Sequence, residues 1–127
     1  MKQINNAPSA PSPVGSYSQA IQSGNMLYCS GQIAIKPVTS LLETGGIEAE
    51  TRQVLENISA ILEHAGSSID KIVMTTIFLL SMDDFSLVNK VYSEYVSKEC
   101  PPARQTVAVR ELPLGAKVEI SVIVECS

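Results

Sequence analysis

The chain has 127 residues and a formal net charge of −4, with nine Lys and Arg against thirteen Asp and Glu. It is long enough for one buried core and too short for two, so residues 1–127 are read as a single domain. The charge balance excludes a surface built to neutralise phosphates, because nucleic-acid affinity comes largely from clustered Lys and Arg.

In chain order, Pro8, Pro11 and Pro13 make the stretch up to Gly15 an extended arm or loop, since proline fixes φ and removes an amide donor. Two short strands follow, Ser16 to Ser23 and Met26 to Ser30, joined by the tight-turn dipeptide Gly24-Asn25. Gly31 to Gly46 reads as a strand end and then a loop. After Gly46, the residues Val54, Leu55, Ile58, Ile61, Leu62 and Ala65 recur at helical spacing, with Glu48 and Glu50 in the first turn and Gly66 as C-terminal cap.

Ile72 to Leu80 is a nearly unbroken apolar run, the pattern of a strand covered on both faces. Asp83 or Asp84 then caps a second helix with the stripe Phe85, Val88, Tyr92 and Tyr95, which Pro101-Pro102 stops. The final strands run from Arg104 to Arg110 and from Lys117 to Glu125. The order β-β-α-β-α-β-β predicts an α+β domain with two helices on one face of a mixed sheet of roughly five or six strands. Two helices cannot also bury the second apolar face, which predicts a homo-oligomer packed sheet against sheet.

No phosphate-binding glycine loop, zinc-protease motif or nucleophile elbow is present, and the lone His64 falls in the last turn of the first helix. The three cysteines, Cys29, Cys100 and Cys126, form no C-x-x-C pair, which argues against a disulfide framework or a zinc site and for a reducing compartment, the cytoplasm. No run approaches the roughly 20 apolar residues of a membrane span. If the last two strands pair as a hairpin about Pro113-Leu114, Ala108 lies opposite Glu119, and Arg104, Thr106, Glu119 and Ser121 share a polar face. Two readings fit these residues: a guanidinium fork for a small carboxylate with a carboxylate beside it, or an Arg–Glu ion pair on a solvated surface. Tyr17, Ser30, Gly31 and Asn89 are further candidates, as ligand contacts or as turn and packing residues.

Several segments together resemble the reactive-intermediate deaminase (Rid) family. They are Gly15-Ser16-Tyr17-Ser18-Gln19-Ala20, Ser30-Gly31-Gln32-Ile33, Gly45 to Gln53, Asn57, Asp84 to Asn89 with Tyr92, Pro102-Ala103-Arg104, Leu112-Pro113 and Val118-Glu119-Ile120. The resemblance implies a chorismate-mutase-like fold, a homotrimer with pockets between subunits, and no metal or organic cofactor. It implies hydrolysis of 2-imino acids, derived from 2-aminoacrylate or its four-carbon homologue, to 2-oxo acids and ammonia. By the same resemblance Arg104 would bind the carboxylate, with contacts from the Gly31 amide and the Thr106 backbone. Glu119 would hold the attacking water, Tyr17 and Ser30 would shape the pocket, and Asn89 would line or brace it. The chain departs from the family's common pattern at Ser16, Ser40, Val96 and Thr106.

Overall fold

A computed structural model describes residues 1–126. Its strands are β1 (Lys2–Ile4), β2 (Ala20–Ser23), β3 (Met26–Gln32), β4 (Ile72–Leu79), β5 (Ala103–Ala108) and β6 (Val118–Glu125), and its helices are α1 (Ile47–His64) and α2 (Phe85–Tyr95). The six strands form one mixed sheet in the order β1-β2-β3-β6-β4-β5, with β5 parallel to β4 and every other pair antiparallel. This is the expected α+β, chorismate-mutase-like arrangement of two helices over a mixed sheet.

α1 forms because its apolar residues fall on one stripe. Val54, Leu55, Ile58, Ile61 and Leu62 are fully buried against the sheet. The helix ends as the glycine predicts. Gly66 takes φ +82°, its amide donates to the Glu63 carbonyl, and the Ser67 amide reaches back to Leu62 at 2.8 Å. Glu50 does more than complement the helix dipole: it is buried and accepts the Lys117 amide at 3.1 Å, tying α1 to the start of β6. At α2 neither aspartate makes a side-chain cap. Ser81 accepts the Asp83 amide instead, at the head of a short turn, Met82–Asp84, that leads into the helix.

The N-terminal arm is displaced along the chain from where the prolines suggest, because Lys2–Ile4 pair with β2 as an edge strand and β2 itself begins only at Ala20. The larger correction concerns the C-terminal strands. They do not form a hairpin. β5 follows α2 as a crossover and lies parallel to β4 at the sheet edge, while β6 inserts between β3 and β4. The burial of each strand explains the choice. Val118, Ile120, Val122 and Val124 are buried in β6, as suits a central strand, whereas most of β5 is exposed, as suits an edge.

Thr75, Ile77 and Leu79 of β4 face the helices, with Val122, Ile120 and Val118 beside them. The other face carries Ile21, Tyr28, Met74, Phe78, Val107 and Ile123, partly or largely exposed. Neither helix covers that apolar surface. Among the described residues, no helix is long and apolar enough to cross a membrane.

Candidate functional site

Glu119 sits near the start of β6 on the open face, opposite Phe78 of β4. Its carboxylate lies over Gly31. A Cβ built there would stand 2.8 Å from Glu119 Oε2 and 3.0 Å from its Cδ, so only glycine leaves the carboxylate in place. Gly31 falls where the β3–β6 register shifts, between Cys29 and Gln32, a local break of the kind that re-aims neighbouring groups. Burial raises the pKa of the Glu119 carboxyl, and among the described residues no cation pairs with it. Beside it opens a cavity of about 300 Å³, whose walls include Pro11, Val14, Tyr17, Ile33, Ile35 and Pro113.

The arm that closes this cavity is held by Gln19, which is 1% exposed. Its Oε1 accepts the Ala7 amide at 3.0 Å, its Nε2 donates to the Pro11 carbonyl at 2.8 Å, and its own amide donates to Asn5 Oδ1 at 2.8 Å. Ser30 completes the lock, its hydroxyl donating to the Ser18 carbonyl at 2.6 Å. Tyr17 is half exposed at the cavity, and its hydroxyl accepts the Val14 amide at 3.3 Å. Gln19 stands in one of the family-like segments, but periodicity gives it no buried role, because two of its partners are backbone groups of a non-periodic arm.

Gln19→Glu tests that lock. The introduced carboxylate would face the Pro11 carbonyl, buried and without a counter-charge, for an expected loss of roughly 2–4 kcal/mol at pH 7. Burial raises the folded-state pKa of this group above its unfolded value. The loss therefore grows as pH rises through the unfolded pKa and shrinks toward pH 4, where the protonated acid can donate to Pro11. Urea melts of wild type and variant at both pH values check this; equal losses at both would contradict it.

Arg104 belongs to a different neighbourhood. It opens β5 opposite Thr75 and so lies on the helix side of the sheet. Its Nη1 donates to Asn89 Oδ1 at 2.7 Å, and its guanidinium stacks 5.4 Å from the Phe85 ring centre and 5.2 Å from that of Tyr92. Tyr92 is fixed in turn by its hydroxyl, which donates to Thr75 Oγ1 at 2.9 Å. Burial, the largest influence, pushes the Tyr92 phenol's pKa up, so it stays a protonated donor. Phe85, Asn89 and Tyr92 are spaced i, i+4, i+7 and so share one face of α2, which only the placement of β5 shows to be a cradle for Arg104. Thr106, two residues along, leaves Oγ1 buried without a hydrogen-bond partner among the described residues. Among those residues no carboxylate pairs with Arg104.

Arg104 and Glu119 therefore do not share a face, and the ion pair that the hairpin register allowed does not form. They lie on opposite sides of the sheet, two strands apart and offset by three residues of β4, a Cα separation of roughly 14 Å from ordinary strand spacings. Tyr17, Ser30, Gly31 and Glu119 gather at one end, Asn89 and Arg104 at the other. Cys29 is buried, which pushes its thiol up to about 12 and makes it a packing residue.

Comparison with known proteins returns one family under several descriptions. A family model described as Endoribonuclease L-PSP matches residues 7–126. A RutC family protein of Pyrococcus horikoshii is 47% identical over 97% of both chains. A protein of Dermatophagoides farinae named 2-iminobutanoate/2-iminopropanoate deaminase is 42% identical over 97% of this chain and 95% of its own. Among solved structures, the Rid family protein YyfA of Yersinia pestis superposes with a TM-score of 0.94 at 49% identity, covering 98% of each chain.

Proposed function

The chain belongs to the Rid/RutC family, and from that premise we propose that it hydrolyses reactive 2-imino acids to 2-oxo acids and ammonia. In this reading it is a single-domain cytoplasmic homotrimer, needs no cofactor, and has its pockets between subunits. The observation that carries the reading is the pair of unspent charges. Arg104 is braced by Asn89 and two aromatic rings, yet among the described residues meets no carboxylate. Glu119 is half buried over Gly31, yet among the described residues meets no cation. One small acid cannot touch both across roughly 14 Å of one chain. It can do so where the β5 edge of one subunit meets the Glu119 cavity of another, and the uncovered apolar sheet face suits such packing.

The chemistry then follows from the groups. Arg104 holds the carboxylate by its planar fork, and the Thr106 backbone and Gly31 amide contact the same acid. The protonated imine carbon is already electrophilic, so a water placed by Glu119 adds to it while the carboxylate accepts the proton. Returning that proton to nitrogen makes it an ammonium leaving group, and the freed carboxylate then takes the hydroxyl proton as the C=O bond forms and ammonia leaves. A carboxyl whose pKa burial has raised is better matched to both transfers than an exposed one. Tyr17 and Ser30 shape the pocket wall.

The description of the matching family model would favour RNA cleavage. A net charge of −4 and a lone histidine, however, supply neither phosphate affinity nor an acid–base pair. The test is to generate 2-aminoacrylate in situ with a PLP-dependent dehydratase and to follow oxo-acid formation. Acceleration by the protein supports the proposal. Absence of acceleration, with 2-oxo acid binding retained, makes it a metabolite binder.

Gly31→Ala gives a sharper result. The far end of the Glu119 side chain can swing away from the new methyl, so the fold is expected to survive with little change in thermal midpoint. The carboxylate moves by an ångström or more, and kcat/KM is expected to drop about 10²-fold. Activity near wild type in a folded Gly31→Ala protein would contradict the placement of Glu119.

A further inference from the structure

Two non-glycine residues among those described hold positive φ, Ser40 and Leu114. Leu114 is the more demanding, with φ 57° and ψ 23° in the turn Pro113–Gly115. A leucine is disfavoured there, because its Cβ crowds the following carbonyl; glycine or asparagine would sit more easily. The turn is pinned on its C-terminal side. The Ala116 amide donates to the Pro113 carbonyl at 3.0 Å, Ala116 is fully buried, and the Lys117 amide is held by Glu50. Strain of this kind persists only where the surroundings over-determine it.

Core packing does not explain the leucine, since its side chain is 73% exposed. Its position does. Leu114 borders the cavity that holds Glu119 and Gly31, and also the trough on the far side of the arm. Beyond Glu119 the cavity is walled mostly by apolar groups, Val14, Ile33, Ile35 and Pro113, with Ser12, Gln19 and Gln32 among them, and Leu114 adds to the apolar part. The volume, about 300 Å³, is at the lower end of pockets for drug-sized ligands and exceeds what a three-carbon acid fills.

We propose that Leu114 is a specificity-determining residue, the apolar lip of a side-chain pocket that favours 2-imino acids with aliphatic chains over the three-carbon acid. This rests on the deaminase reading. The left-handed backbone fixes the direction in which the Leu114 Cβ leaves the turn, at the border of the cavity.

The experiment compares wild type, Leu114→Asn and Leu114→Met. An amino-acid oxidase acting on leucine or on alanine supplies the two imines, and calorimetric titration measures binding of 4-methyl-2-oxopentanoate and 2-oxopropanoate. Leu114→Asn tolerates the left-handed backbone but is polar. Its denaturation midpoint is expected at or above that of wild type, and the leucine-to-alanine ratio of kcat/KM to fall about tenfold. The ratio of oxo-acid affinities should fall with it. Leu114→Met keeps an apolar side chain of similar size and is expected to hold the wild-type ratio. Unchanged ratios in Leu114→Asn overturn the proposal while leaving deaminase activity standing. So does a smaller sedimenting mass with unchanged ratios, which would make Leu114 a subunit contact instead. Wild type that neither binds nor turns over any of these acids overturns the deaminase reading and, with it, the lip.

Discussion

Arg104→Ala is expected to lower kcat/KM for 2-imino acid hydrolysis by roughly 10²–10³-fold, about 3–4 kcal/mol, while the protein sediments as wild type does. The size follows from what the side chain is held for. Asn89 takes one N–H of Nη1 at 2.7 Å, and Phe85 and Tyr92 confine the guanidinium plane, which leaves the rest of the fork directed at a carboxylate. Arg104→Lys is expected to recover little of this, because an ammonium offers a point charge without the planar pair of donors or the stacking. The loss should fall mainly on KM, since the carboxylate is bound alike in ground and transition states. Steady-state kinetics on imine generated in situ, with sedimentation as the control for assembly, checks this. Wild-type kinetics in a folded Arg104→Ala protein would remove Arg104 from the site.

Glu119→Gln is the second large effect, and it separates activity from stability. Loss of the proton acceptor is expected to cut kcat by roughly 10²–10⁴-fold with KM little changed. Stability should move the other way. Burial raises the folded-state pKa of Glu119, so the fold favours its protonated form. This carboxyl therefore weighs against the native state as pH rises through that pKa, and the effect vanishes below the unfolded value. Glu119→Gln is accordingly expected to melt at or above the wild-type temperature at pH 7 and to match it near pH 3. The raised pKa also places the acid limb of the wild-type kcat/KM profile above that of an ordinary glutamate, with activity falling as pH drops through it. A Glu119→Gln protein with wild-type kcat would assign the water to another group.

These predictions depend unequally on what could be read before the structure. The two helices were legible because their signal is local. Val54 to Leu62 and Phe85 to Tyr95 repeat at helical spacing wherever the chain goes next, and Gly66 ends α1 by its own backbone freedom. The residue types of the site were legible too, since Arg104, Glu119, Tyr17 and Asn89 stand in motifs of characteristic spacing.

Their arrangement was not legible. Two adjacent strands of similar length look like a hairpin, and nothing within Arg104–Glu125 says that β6 will leave β5 to pair with β3 and β4. That choice is made by distant apolar partners competing for the central position. Because side chains alternate across a pleat, it moved Arg104 and Glu119 from one face to two. The Gln19 lock and the carboxylate over Gly31 join segments far apart in sequence, where periodicity carries no information. By itself, then, the sequence determined the two helices and most of the strands and singled out the candidate site residues, through local propensity and spacing. Only the tertiary structure decided which strands neighbour which, and therefore that Arg104 and Glu119 lie too far apart to meet one small molecule within a single chain.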